Sequence, residues 1–112
     1  MAILAPEGEV RVARPDEITG PFNLVTGLPG GGGDRITASF RVEVQSYAVN
    51  DYNGCRDLAK RSEQRILAAV GQEFAGVCVD EARIESHPSF ASYANTPDIK
   101  RFIAVYRLAF RR

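Results

Sequence analysis

"ITASFRVEVQSYA", residues 36–48, alternates from end to end. Ile36, Ala38, Phe40, Val42, Val44, Ser46 and Ala48 fall on one parity, and Thr37, Ser39, Arg41, Glu43, Gln45 and Tyr47 on the other. A period of two in a run rich in β-formers is the pattern of a long strand with one face in a core and one face polar. That half-polar character bears on the architecture. A helix on one face of such a sheet leaves the other face, which here carries Thr, Ser, Arg, Glu and Gln, still to be covered.

A candidate cover follows directly. Asn50 and Asp51 carry N-cap chemistry, and Cys55, Leu58, Ala59, Ser62, Ile66, Leu67 and Val70 recur at spacings of three and four, with Arg56, Lys60, Arg61, Glu63, Gln64 and Arg65 on the remaining faces. This predicts one amphipathic helix over 52–70, stopped by Gly71. Gly54 weakens the first turn by about 1 kcal/mol relative to alanine, which favours a start a few residues later.

Outward from this pair, "FNLVT" (residues 22–26) reads as a short strand ended by Gly27 and Pro29. Val77-Cys78-Val79 opens another that continues towards Ile84 and is expected to stop at His87-Pro88, since proline donates nothing to a ladder. Residues 88–98 are turn-rich. Phe102, Ala104, Tyr106, Leu108 and Phe110 against Ile103, Val105, Arg107 and Ala109 form a last long strand, apolar on one face and mixed on the other. Residues 1–21, with Pro6, Gly8, Pro15, Gly20 and Pro21, read as an extended N-terminal arm holding at most a short strand at Val10-Arg11-Val12. Residues 22–112 are then a single domain. The expected fold class is α+β: a mainly antiparallel sheet of four to five strands with one long amphipathic helix packed on a face.

Composition limits the function classes. In 112 residues, 45% apolar and 25% charged, 14 basic side chains balance 14 acidic ones. This is a globular chain without the basic surplus of a dedicated nucleic-acid clamp. Only Lys60 and Lys100 are lysines; arginine favours fixed ion pairs and interfaces, and a GC-rich coding sequence gives the same bias. No apolar run approaches the ~20 residues of a membrane span and no signal peptide is visible, so a cytoplasmic site of synthesis is expected. Cys55 and Cys78 read as two buried free thiols rather than a metal or redox pair.

The motif that invites a chemical reading is "PGGGGDRIT", residues 29–37. A P-loop needs GxxxxGK[ST]; with Gly27 and Gly32 in the glycine positions, Gly33 stands where lysine belongs. A dinucleotide fingerprint fails too, because from Gly30 or Gly31 the third glycine falls on Arg35 or Ile36, and a strand rather than a helix follows. The glycines read instead as the turn of a hairpin. His87 has no nucleophile or ligand partners in its neighbourhood. Asp80, Glu81 and Glu85, or Asp16 with Glu17, could serve acid/base chemistry or bind a metal, but solvated strand ends explain them better. Tyr47, Tyr52, Tyr93 and Tyr106 lack the basic interleaving of a single-strand-binding surface. No cofactor or metal set emerges, which leaves binding or assembly as the expected role.

The segment "FNLVTGLPGGGGDRITASFRVEVQSYA", the helix "RDLAKRSEQRILAAV" and the tail "SHPSFASYANTPDIKRFIAVYRLAFR" together resemble the tail terminator proteins of long-tailed bacteriophages, particularly those infecting actinobacteria. The resemblance covers about residues 22–111 and rests on patterns of structure rather than on catalytic letters. It implies a non-enzymatic virion protein, assembled in the host cytoplasm into a homohexameric ring. Such a ring caps the tail tube, ends its polymerisation and joins the head–tail connector, and genomic DNA passes through its lumen without sequence-specific binding. Relatives commonly begin with a helix, and this chain opens without one. A lumen that DNA slides through is expected to be neutral or acidic, since each phosphate contact adds grip. The residues expected to meet neighbouring subunits are Gly30, Gly31, Gly32, Gly33, Asp34, Arg35, Arg101 and Arg111. A head-completion or stopper protein, a tail tube subunit, and a small-molecule-binding or weakly enzymatic α+β domain are the rival readings.

Overall fold

β-Branched and aromatic residues at alternate positions hold the backbone extended over Thr37–Val49, the strand numbered β3 below. The computed structural model describes residues 3–5, 8–14, 18–33, 37–74, 77–93 and 96–111. Within these, the order is β1 (Val10–Arg11), β2 (Phe22–Gly33), β3 (Thr37–Val49), α1 (Tyr52–Ala68), β4 (Glu73–Phe74), β5 (Val77–Phe90) and β6 (Ile99–Arg111). The strands make one sheet in the order β1-β2-β3-β6-β5-β4. All ladders are antiparallel except β1 with β2, which is parallel. The fold is therefore α+β with one helix, as expected. Its sheet is not purely antiparallel, and it has six strands among the described residues because two-residue pieces flank each side.

The helix starts without delay at Tyr52. Asp51 is its N-cap, and the Asp51 carboxylate accepts from the Gly54 backbone N–H at 2.8 Å. Asn50 precedes it in the left-handed region (φ 53°), which asparagine tolerates better than most residues. The helix ends at Ala68, two residues short of expectation, and Gly71 (φ 83°) turns the chain so that its N–H meets the Val79 carbonyl. Cys55, Leu58, Ala59, Ser62 and Ile66 are buried on the sheet, but Leu67 and Val70, expected in the same stripe, are exposed. Leu67 directly follows the buried Ile66, so a 100° step carries it off the seam.

Under the helix lie Val44, Val79, Ala104, Tyr106 and Leu108, with Ala48 and Phe102 nearer its start. Ile3 and Leu4, from the stretch expected to be an extended arm, are buried in this same core. The opposite face also carries a cluster at one end. Tyr47, expected on the polar face, is fully buried, stacked on Phe22 (ring centroids 4.7 Å) and edge-on to Tyr93. Ile18 and Ile99 pack beside them. Ile18 and the loop after β5 thus cover one end of the second face, and among the described residues nothing covers the rest.

Two expectations about breaks are corrected. The glycines are not the turn: β2 runs through Gly33, Gly32 and Gly33 pair with Ser39 and Ala38, and only a register irregularity between Leu28 and Gly32 marks the Pro29 region. Antiparallel ladders absorb extra residues as bulges, and glycine takes the required angles without strain. Nor does His87-Pro88 end β5, which continues to Phe90 with shifts at Ile84/Ser86 and Ser86/Ser89. Proline is tolerated there because β4 covers only Val77 and Cys78, so this part of β5 is a sheet edge.

Candidate functional site

Register builds the most distinctive surface of the protein. Arg41 of β3 lies directly opposite Arg107 of β6, and Arg107 directly opposite Arg83 of β5. Three arginines therefore stand in one row across three adjacent strands, with neighbouring strands about 4.8 Å apart. Their parity matches Glu43 and Gln45, so they occupy the face away from α1. Like charges directly opposite one another repel, and a row of this kind requires compensation.

Glu85 supplies it. The irregularity between Ile84 and Ser86 brings Ser86, rather than Glu85, opposite Val105, and Glu85 reaches over β6. Its Oε2 accepts from Arg41 Nε at 2.7 Å and its Oε1 from Arg107 Nε at 3.4 Å. The hydrogen bond from Arg41 holds the Glu85 carboxyl below its usual value; desolvation opposes this, and the charge of Arg41 and the bond and charge of Arg107 reinforce it. Arg83 pairs with Glu81 on its own strand. Farther along β3, Tyr47 donates to Gln45, which donates to Glu43. A small cleft of about 80 Å³ opens between Ser39, Glu81, Arg83, Arg107 and Ala109. The face is thus a lattice of paired charges rather than a patch of one sign.

The residues expected at subunit contacts do not gather in one place. Gly30, Gly31, Gly32 and Gly33 form the far end of β2, while Asp34 and Arg35 lie outside the described residues. Arg111 is near the glycines, since it pairs with Thr37 across the β3–β6 ladder, and its guanidinium faces Asp80 at 3.5 Å. Arg101 is ten residues away along β6, roughly 33 Å at the usual strand rise. It donates to the carbonyls of Ala91 and Ser92 and lies over the Tyr93 ring, which ties it to its own chain.

The carboxylates singled out for possible chemistry are each engaged: Asp80 with Arg111, Glu81 with Arg83, Glu85 with Arg41 and Arg107. Asp16 and Glu17 lie outside the described residues. His87 meets Glu63 of α1 at 3.0 Å. Among the described residues no group of three or more His, Cys, Asp or Glu is placed to hold a metal, and no helix is long and apolar enough to cross a membrane. Cys55 is buried and donates to the Ser46 carbonyl, and burial pushes its thiol up to about 11, away from nucleophilic use. A cleft of about 400 Å³ between residues 19–22, the end of β3 and the start of α1 is lined by Asp51, Asp57 and Arg61 among others. Asp51 is already committed to the helix cap there.

Exposed aromatics complete the surface. Tyr52 and Phe90, both close to half exposed, pack on Phe102 at the start of α1, while Phe40 packs edge-on to Phe110 at the other end of β3 and β6. Sequence reasoning placed Arg41 and Arg107 on mixed strand faces but missed their alignment, and it read Glu85 as a solvated strand end. Alternation was the only signal available, and it does not carry register. Comparison with known protein families finds no family model that matches this chain, and comparison with curated proteins finds no match.

Proposed function

We propose that this chain is a non-enzymatic virion protein of the tail terminator type. It closes into a ring, six-membered as the sequence resemblance implies, that caps a phage tail tube and joins it to the head–tail connector, with DNA passing through the lumen. The observation that carries this reading is the pair of unlike, mostly open sheet edges. Among the described residues, β1 pairs on one side only with Asn23 and Leu24, and β4 on the other only with Val77 and Cys78. Exposed edges are templates for pairing with another chain, and two different edges on one subunit give the head-to-tail contact from which rings close. Pro88 and the adjacent bulges blunt the β5 edge beyond Ile84, which limits how far a partner strand can run.

Two further features support the reading. The aromatic pairs at opposite ends of β3 and β6 offer anchors for one neighbour above and one below. The charge-paired open face suits a lumen that must not grip DNA. The small-molecule or enzymatic alternative draws less support, because the carboxylates at and near Asp80 that it would use are each paired with arginine.

Electron microscopy of the purified protein, alone and mixed with isolated tail tubes, tests the reading. Closed rings of one diameter, or decoration of tube ends, are expected. Open-ended tubes would reassign the chain as a tube subunit. A monomer that never decorates tube ends would overturn the proposal.

A further inference from the structure

Three arginines in register is an expensive arrangement for a fold to keep, and the surrounding face suggests what it meets. The exposed large apolar residues, Val12, Phe40, Tyr52, Leu67, Val70 and Phe90, all lie elsewhere: Phe40 and Phe90 have helix-side parity, Tyr52, Leu67 and Val70 belong to α1 or its end, and Val12 follows β1. Protein-docking patches are built around aromatic or aliphatic anchors, and among the described residues this face presents no well-exposed one, only the partly buried side chains of β6. It presents guanidinium groups instead, the side chain best shaped to meet phosphate oxygens, with carboxylates set between them. Ile103 and Val105 are only half-buried here.

We propose that the open face of β3, β6 and β5 is a charge-masked surface for the backbone of duplex DNA, in which Glu85 and Glu81 neutralise the Arg41–Arg107–Arg83 row so that the duplex is met without being held. This deepens the ring reading and rests on it for the presence of DNA. The mask follows from geometry: one carboxylate spans two arginines from different strands, and a second pairs with the third. A row of three bare guanidiniums would release counterions from the duplex on contact and cling to it; the paired row exchanges little. Because Glu85 belongs to the outermost of these three strands and reaches inward, its removal takes a carboxylate from two arginines at once.

The test is binding of a short duplex DNA to the purified full chain, read by fluorescence anisotropy over a salt series. The wild type is expected to bind weakly. E81Q/E85Q should bind at least about tenfold tighter at low salt, with a log–log salt slope steeper by about 1 to 2, and adding R107Q should reverse much of the gain. The control E9Q/D57N raises net charge equally but lies away from the row, and it should leave binding near the wild-type level. Equal gain in the control, or no gain in E81Q/E85Q, would overturn the proposal. Thermal unfolding confirms that each variant is folded, and E81Q alone, at a well-exposed side chain, supplies a milder version of the same comparison. This readout needs no ring. Closed rings with no gain in E81Q/E85Q would reject the mask alone, and gain without rings would reject the ring alone.

Discussion

Asn23 of β2 donates to Ser62 of α1 at 2.9 Å and accepts from Ser46 of β3 at 2.7 Å, with all three side chains almost wholly removed from solvent. Ser62 passes the chain on to the Leu58 carbonyl. A polar pin through an otherwise apolar layer fixes which turn of the helix sits on which strand, because any slip strands a buried donor or acceptor. N23A should destabilise by about 1 to 3 kcal/mol, since the Ser46 hydroxyl then lacks its acceptor. The apolar triple variant N23V/S46A/S62A should recover most of that loss, as removal of all partners leaves nothing unsatisfied. Denaturant unfolding measures both, and a triple variant weaker than N23A would refute the pin.

The Asp51–Gly54 relationship predicts a coupled pair. A Cβ at Gly54 would run into the Asp51 carboxylate, so the glycine is what allows the cap to close. G54A should therefore be neutral or destabilising by up to about 1 kcal/mol, because gained helix propensity is offset by a displaced cap. In a D51A background the same change should stabilise by up to about 1 kcal/mol. Chemical denaturation of the four proteins gives the cycle, and additivity would show that the two positions act separately.

What was legible in the sequence was what is local. The alternation of residues 36–48 and the three-four spacing after Asp51 specify β3 and α1 because each pattern repeats within the element that it forms. Tyr47 was misplaced because its burial depends on Phe22, brought opposite by register, and on Tyr93 from a distant loop. Asn23 drew no attention, since a polar residue in a short strand reads as solvated until its partners on β3 and α1 are known. Glu85 is the sharpest case. Its role arises from a bulge in β5 and from two arginines on other strands, none of which leaves a periodic trace. Pro88 misled for a related reason: a proline ends a central strand but not an edge, and edge position is a property of the whole sheet.

The two thiols should differ in reactivity. Cys55 is buried beneath α1 with its pKa pushed up to about 11, whereas Cys78 is half-buried near the start of β5. At pH 8 a maleimide should label the folded protein at one site, lost in C78S, and reach Cys55 only at the rate of unfolding. Mass spectrometry of the labelled protein reads the result directly. Rapid labelling of Cys55 in C78S would mean that the helix–sheet seam opens far more readily than its packing suggests.

The Arg41–Glu85–Arg107 cluster should also show in acid. The folded-state pKa of Glu85 is lowered, chiefly by the hydrogen bond from Arg41, so below the ordinary carboxyl value of about 4.5 the unfolded chain binds a proton that the folded chain resists. The stabilisation is thus fully present above that value and is lost as pH falls through the lowered one. Other carboxylates titrate in the same range, so the informative quantity is the difference between wild type and E85Q. Their melting temperatures should be furthest apart above about pH 4.5, with the wild type higher, and should converge on acidification. The gap should also narrow in salt, because the cluster is open to solvent on the exposed face. R41Q should reduce the pH dependence more than R107Q does, following the shorter contact. A gap that stays constant from neutral pH into strong acid would show that Glu85 stabilises the sheet through packing rather than through its charge.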